Sequence, residues 1–230
     1  VLSFVEHDGS PDLVTTSIRL GPASGPAVSP EGTAWVARCN PASGGFDAFA
    51  PCDCDIHNGD AATCAVGARL AWAAPGDASL TAWAPSGVDF GECAGGLCSV
   101  LPVDLAFDAD AGVLWVVALD YGAGADVGRW RAWRIECASG DPLDACADVD
   151  LDVRGPDVAG WQTGFEIPGS ALPTFLAAHS DLLGIDTGTG RAYFLDPIAG
   201  EVSILDGSGS TIRRVGVIPA TGAIRSAIGR

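Results

Sequence analysis

Glycine and proline interrupt this chain before a long helix can grow. Its 230 residues include 31 Gly and 15 Pro, and the stretches between them are short apolar runs rich in Val, Leu, Trp and Phe. Gly gives up the most backbone freedom on entering a helix, and Pro lacks the N–H that helix and sheet both use. Punctuation this dense leaves strands and tight turns. The acidic residues agree: 23 of the 29 are Asp, a turn former, whereas Glu favours helices. The expectation is an all-β fold over a single domain, 1–230, long enough to bury one sizeable core.

Aligning the turns exposes a repeat. Ala27-Val-Ser-Pro-Glu-Gly-Thr-Ala-Trp-Val-Ala37, Leu105-Ala-Phe-Asp-Ala-Asp-Ala-Gly-Val-Leu-Trp-Val-Val117 and Leu183-Gly-Ile-Asp-Thr-Gly-Thr-Gly-Arg-Ala-Tyr-Phe-Leu195 each read as strand, turn, then a strand carrying an aromatic. If further units centre near Pro75-Gly-Asp77 and Arg154-Gly-Pro156, the period is ~40 residues, the length of a propeller blade. The copies, and Phe107 to Val117 above all, resemble the inner hairpins of β-propellers of the NHL, YVTN and SMP-30-like kind. That resemblance implies a propeller-like array of about five four-stranded units. The alternative all-β fold is a β-sandwich. Val1 to Val5 and Ile212 to Ile218 are the strands expected to pair if the array closes. The chain has no methionine, which reads as a processed chain or part of a larger propeller completed by a companion chain.

Eight cysteines, Cys39, Cys52, Cys54, Cys64, Cys93, Cys98, Cys137 and Cys146, point to disulfides and an oxidising compartment: extracellular, cell surface or periplasmic. Eight cysteines allow on the order of a hundred pairings. Short intervening loops favour Cys93 with Cys98 and Cys137 with Cys146. The other four fall in a Cys-rich loop insertion, 39–64, expected to form a stapled knob. Within it Cys52-Asp-Cys54-Asp-Ile-His57 carries zinc-type donors, but Cys-x-Cys is not the usual spacing of a zinc knuckle. A net charge of −17 repels nucleic-acid phosphates and anionic lipid. The longest strongly apolar run, Val113 to Leu119, falls far short of the ~20 residues a membrane-spanning helix needs.

Two constellations stand out as candidate sites. Asp148, Asp150 and Asp152 alternate with apolar residues. On a strand they would form one row of carboxylates ~7 Å apart, of a kind that takes calcium when it is not simply solvated. Asp104, Asp108 and Asp110 surround the second repeat turn, where hairpin chemistry explains them without a ligand. Trp130-Arg131-Ala-Trp133, flanked by Arg129 and Arg134, is a dense basic and aromatic patch on an acidic chain. It is a candidate binding surface for a glycan or protein, or else an outer strand whose arginines pair with aspartates. No Gly-x-Ser-x-Gly elbow accompanies His179-Ser-Asp181, which speaks against a serine hydrolase.

The expected function is an exported, non-catalytic binding module with a protein or glycan partner. The alternative implied by the resemblance is a calcium-dependent propeller hydrolase or lactonase. Asn is scarce, only Asn40 and Asn58, which weighs against the channel-type calcium site of such enzymes.

Overall fold

A computed structural model describes residues 2–6, 14–18, 26–39, 68–77, 81–89, 100–120, 127–161, 163–166, 182–196 and 199–219. These residues are all-β, with two short 3-10 turns and no α-helix among them. A hairpin of β1 (Leu2–Glu6) and β2 (Val14–Ile18) stands as its own two-stranded sheet. The first larger sheet is the antiparallel meander β3 (Ala27–Val28), β4 (Ala34–Cys39), β5 (Ala68–Ala73), β6 (Thr81–Trp83). The second is β7 (Val100–Asp108), β8 (Val113–Asp120), β9 (Val127–Cys137), β10 (Leu151–Arg154), with β12 (Thr163–Glu166) also pairing β9. The third is β13 (Leu183–Asp186), β14 (Arg191–Asp196), β15 (Glu201–Asp206), β16 (Ile212–Pro219), with the short β11 (Val158–Ala159) parallel to the start of β16.

The three repeat copies are the first hairpins of these three sheets, β3–β4, β7–β8 and β13–β14. The period, however, needs correction. The copies open at Ala27, Leu105 and Leu183, so one repeat supplies a whole four-stranded meander, about twice the ~40 residues expected of a unit. The Pro75-Gly-Asp77 turn joins β5 to β6 inside the first sheet, and Arg154-Gly-Pro156 begins at the end of β10, between β10 and β12 of the second. The described residues therefore hold three sheets built on four-strand meanders, two of them with a short fifth strand, and none of these sheets closes on itself. An all-β fold stands, and a sandwich is compatible with it. The expected closing pair is also corrected: β1 pairs β2, while β16 pairs β15 and, at Ile212 and Arg213, β11.

Packing places the second sheet between the other two. Every residue of β8 is buried, on both faces. Leu114, Val116 and Ala118, with Trp133 and Ile135 of β9, join one core cluster with Ala27, Trp35 and Leu70 of the first sheet. Val113, Trp115, Val117 and Leu119, with Trp130 and Ala132, join the other with Leu183, Phe194 and Leu205 of the third. Alternate residues of a strand face opposite ways. A strand covered on both sides therefore has apolar residues at every position rather than at alternate ones. That is why Val113 to Leu119 is the longest apolar run.

Candidate functional site

The chemistry-bearing side chains lie at the two junctions of the middle sheet. At the junction with the third sheet, Asp104 of β7 is 2% exposed. Its Oδ1 accepts the Leu105 N–H at 2.9 Å, and its Oδ2 accepts the N–H groups of Leu182 and Leu183, each at 2.8 Å. Asp196, at the end of β14, accepts the Trp130 indole N–H at 2.7 Å on Oδ2 and the Ala199 N–H at 2.9 Å on Oδ1. Around this bond Trp130 meets Phe194 edge-on, with ring centroids 4.7 Å apart, and Trp161 meets Phe194 edge-on at 5.7 Å. The Trp161 indole donates to Ser203 Oγ at 3.2 Å. Arg154 reaches Gly207 O at 2.5 Å, and Glu136 and Asp152 at 2.6 Å each. Gly207 admits no side chain there, because a Cβ would lie 2.5 Å from Arg134 Cδ and 2.9 Å from the Trp115 ring.

The junction with the first sheet runs through a loop closed by Cys137–Cys146. Leu143, at the centre of that loop, is buried in the cluster shared with the first sheet. Asp144 accepts the Thr33 hydroxyl at 2.9 Å, and Asp148 accepts the Trp83 indole N–H at 3.2 Å. The Trp133 indole donates to Gly87 O at 3.1 Å. Val149 protrudes, 90% exposed, between Asp148 and Asp150.

The expected carboxylate row does not form. Asp148 and Asp150 lie on a 3-10 turn, and Asp152 alone is on β10, where it pairs with Arg154. No three carboxylate, His or Cys side chains converge on one point among the described residues. The basic and aromatic patch is also dispersed. Trp130 and Trp133 are buried and point into different core clusters. Arg131 pairs with Asp120, at 2.9 Å, and with Asp157; Arg129 pairs with Asp120 at 2.8 Å. β9 lies inside the sheet between β8 and β10, and neither Trp130 nor Trp133 presents its ring as the candidate glycan or protein surface. The Arg–Asp pairing weighed for an outer strand occurs on a central one. Of the cysteines, Cys137 and Cys146 are joined as the loop length implied, and Cys39 ends β4. Cys52, Cys54, Cys64, Cys93 and Cys98, with nearly all of the 39–64 insertion, lie outside the described residues.

Sequence reasoning missed the inter-sheet roles of Asp104 and Asp196 and the pairing of Asp120 with two arginines of the neighbouring strand. The available signal is a lone Asp within or ending an apolar run, as in Val103-Asp-Leu105 and Leu119-Asp120, since a buried carboxylate needs donors. Asp206 is held below the ordinary carboxyl range chiefly by the Ser208 backbone N–H, then by the Ser208 hydroxyl and by Arg191 and Arg213, against the upward push of burial. Among the described residues no helix is long and apolar enough to cross a membrane. No protein-family model matches the chain, and no curated protein matches it in sequence.

Proposed function

We propose that this chain is an exported, non-catalytic interaction module of propeller-like architecture that binds a protein or a glycan. The observation that carries the reading is segment 138–150, which joins the disulfide-closed loop 138–145 to the 3-10 turn Asp148–Asp150 just after it. It is anchored by Leu143, Asp144 and Asp148, yet it holds Val149 90% exposed between the carboxylates of Asp148 and Asp150 in sequence. A rigid loop bearing an apolar tip is the usual form of a recognition element. The other conspicuous charged and aromatic side chains hold the sheets together, as Asp104, Trp130 and Arg154 do. Three successive four-stranded meanders with contacting first strands support the propeller-like part of the proposal. An oxidising destination fits a loop that depends on a disulfide.

The test immobilises the full chain against panels of glycans and matrix proteins, beside Val149→Asp and Asp141→Asn variants. The expected result is a ligand whose binding falls at least tenfold in Val149→Asp while the fold is unchanged. Ester or lactone hydrolysis that requires calcium and is lost on replacing Asp104 or Asp108 would establish the hydrolase alternative instead. Ligands that bind the Val149 variant equally would remove the loop from the reading.

A further inference from the structure

The first-hairpin turns of the second and third sheets are each capped by an Asp and differ in what that Asp's Oδ2 meets. In the third, Asp186 Oδ1 accepts the Gly188 N–H at 3.1 Å, and Oδ2 accepts the Thr189 hydroxyl at 2.8 Å. In the second, Asp108 Oδ1 accepts the N–H groups of Asp110 and Ala111, each at 3.1 Å. The position that supplies the hydroxyl, three residues after the Asp, is Ala111 here. Asp108 Oδ2 is left without a donor, on a residue only 1% exposed. It is the only carboxylate oxygen so placed among the described residues. It faces the neighbouring sheet's turn, since a Cβ at Gly190 would stand 3.9 Å from it.

A buried carboxylate oxygen with no donor is costly, and the usual compensations are a bound cation, a proton or a water. In a chain of net charge −17, cations concentrate at the surface and anions are repelled. Calcium accepts mixed shells of carboxylate, carbonyl and water oxygens in irregular geometry, whereas magnesium demands a near-ideal octahedron and gives up its waters reluctantly. We propose that Asp108 Oδ2 is a ligand of a calcium ion bound between the β7–β8 and β13–β14 turns. The ion joins the second sheet to the third at the place where the second lacks a threonine. It does not depend on the binding role of the 138–150 loop.

The test strips the full chain with chelator and titrates it with calcium chloride, following native mass and thermal unfolding. Three variants accompany it. Asp108→Asn keeps the Oδ1 acceptor and places a nitrogen at Oδ2. Ala111→Thr supplies the hydroxyl that Thr189 supplies in the third sheet. Asp148→Asn addresses the acidic 3-10 turn. The wild type should take up a calcium that Asp108→Asn lacks and that Ala111→Thr binds at least tenfold more weakly, while Asp148→Asn retains it. At a hundredfold excess over Kd the wild-type Tm should rise by roughly 5 °C or more, with no such rise in Asp108→Asn. Equal calcium uptake and equal Tm response in wild type and Asp108→Asn, or no uptake by either, overturns the proposal. A bound calcium lost in Asp148→Asn overturns it too.

Discussion

Replacing Asp104 with Ala tests whether the second and third sheets are fastened through their backbones. The substitution leaves the Leu182 and Leu183 N–H groups, now 2.8 Å from a carboxylate, facing a methyl group on residues only 2% and 7% exposed. A buried donor left unsatisfied costs ~1–3 kcal/mol, with charge-assisted bonds at the upper end. The two donors across the junction alone give a destabilisation of about 4 kcal/mol, a large part of a typical domain's stability, and the Leu105 N–H held by Oδ1 adds to it. Asp104→Asn should cost less, because its oxygen in the Oδ2 position still accepts from both Leu182 and Leu183. With a urea m-value of ~2 kcal/mol/M the Ala variant's midpoint falls by about 2 M. Amide exchange of Leu182 and Leu183 should quicken before that of β4 and β5. A midpoint within about 0.3 M of wild type, equivalent to ~0.5 kcal/mol, would show that water or backbone rearrangement replaces the carboxylate and would refute the reasoning.

Trp130→Phe keeps an aromatic ring against Phe194 but removes the 2.7 Å bond to Asp196; equilibrium unfolding should show a loss of ~2 kcal/mol, as for a hydrogen bond to a charged group. Cys137→Ala with Cys146→Ala opens a loop of sequence separation 9, and the chain-entropy relation gives about 2.5 kcal/mol, measurable by denaturation and accompanied by a change in Trp83 fluorescence. Asp206 has a lowered folded-state pKa, so its contribution is fully present above the ordinary Asp value of about 3.9 and is lost as pH falls through the folded value. Acid titration of stability should therefore be shallower in Asp206→Asn than in wild type below that point, and identical slopes would disprove the linkage.

The repeat was legible because its signal is local. A turn that needs an Asp or Ser to cap it and a Gly at positive φ shows itself in a few residues, as at Asp108 to Gly112, where Gly112 has φ 67. The Cys137–Cys146 pairing was legible for the same reason. The size of the repeat was not, since β5–β6 has the same turn chemistry as the first hairpins: Asp77 caps the Ala74 N–H at 2.9 Å around Gly76. Nothing in such a turn states whether it lies within a sheet or between sheets. That depends on register and on which faces are covered.

The tryptophan motif carries a more general point. Trp130 and Trp133 are three apart, and on a strand that spacing sends them to opposite faces. They can form one surface only on a helix or loop, which the surrounding residues disfavour. Read on a strand, Trp-Arg-Ala-Trp describes a segment with apolar partners on both sides, as Val113 to Leu119 also does. The two junctions then differ in kind. Toward the third sheet the middle sheet offers buried bonds, from Asp104 to Leu182 and Leu183 and from Trp130 to Asp196. Toward the first it offers apolar packing, a disulfide-closed loop anchored at Thr33 and, just after it, a turn anchored at Trp83, both anchors nearer solvent. Opening the disulfide therefore loosens one junction from its rim, whereas Asp104→Ala disrupts the other from within. The larger expected cost belongs to the smaller chemical change, because the groups it strands have no water to turn to.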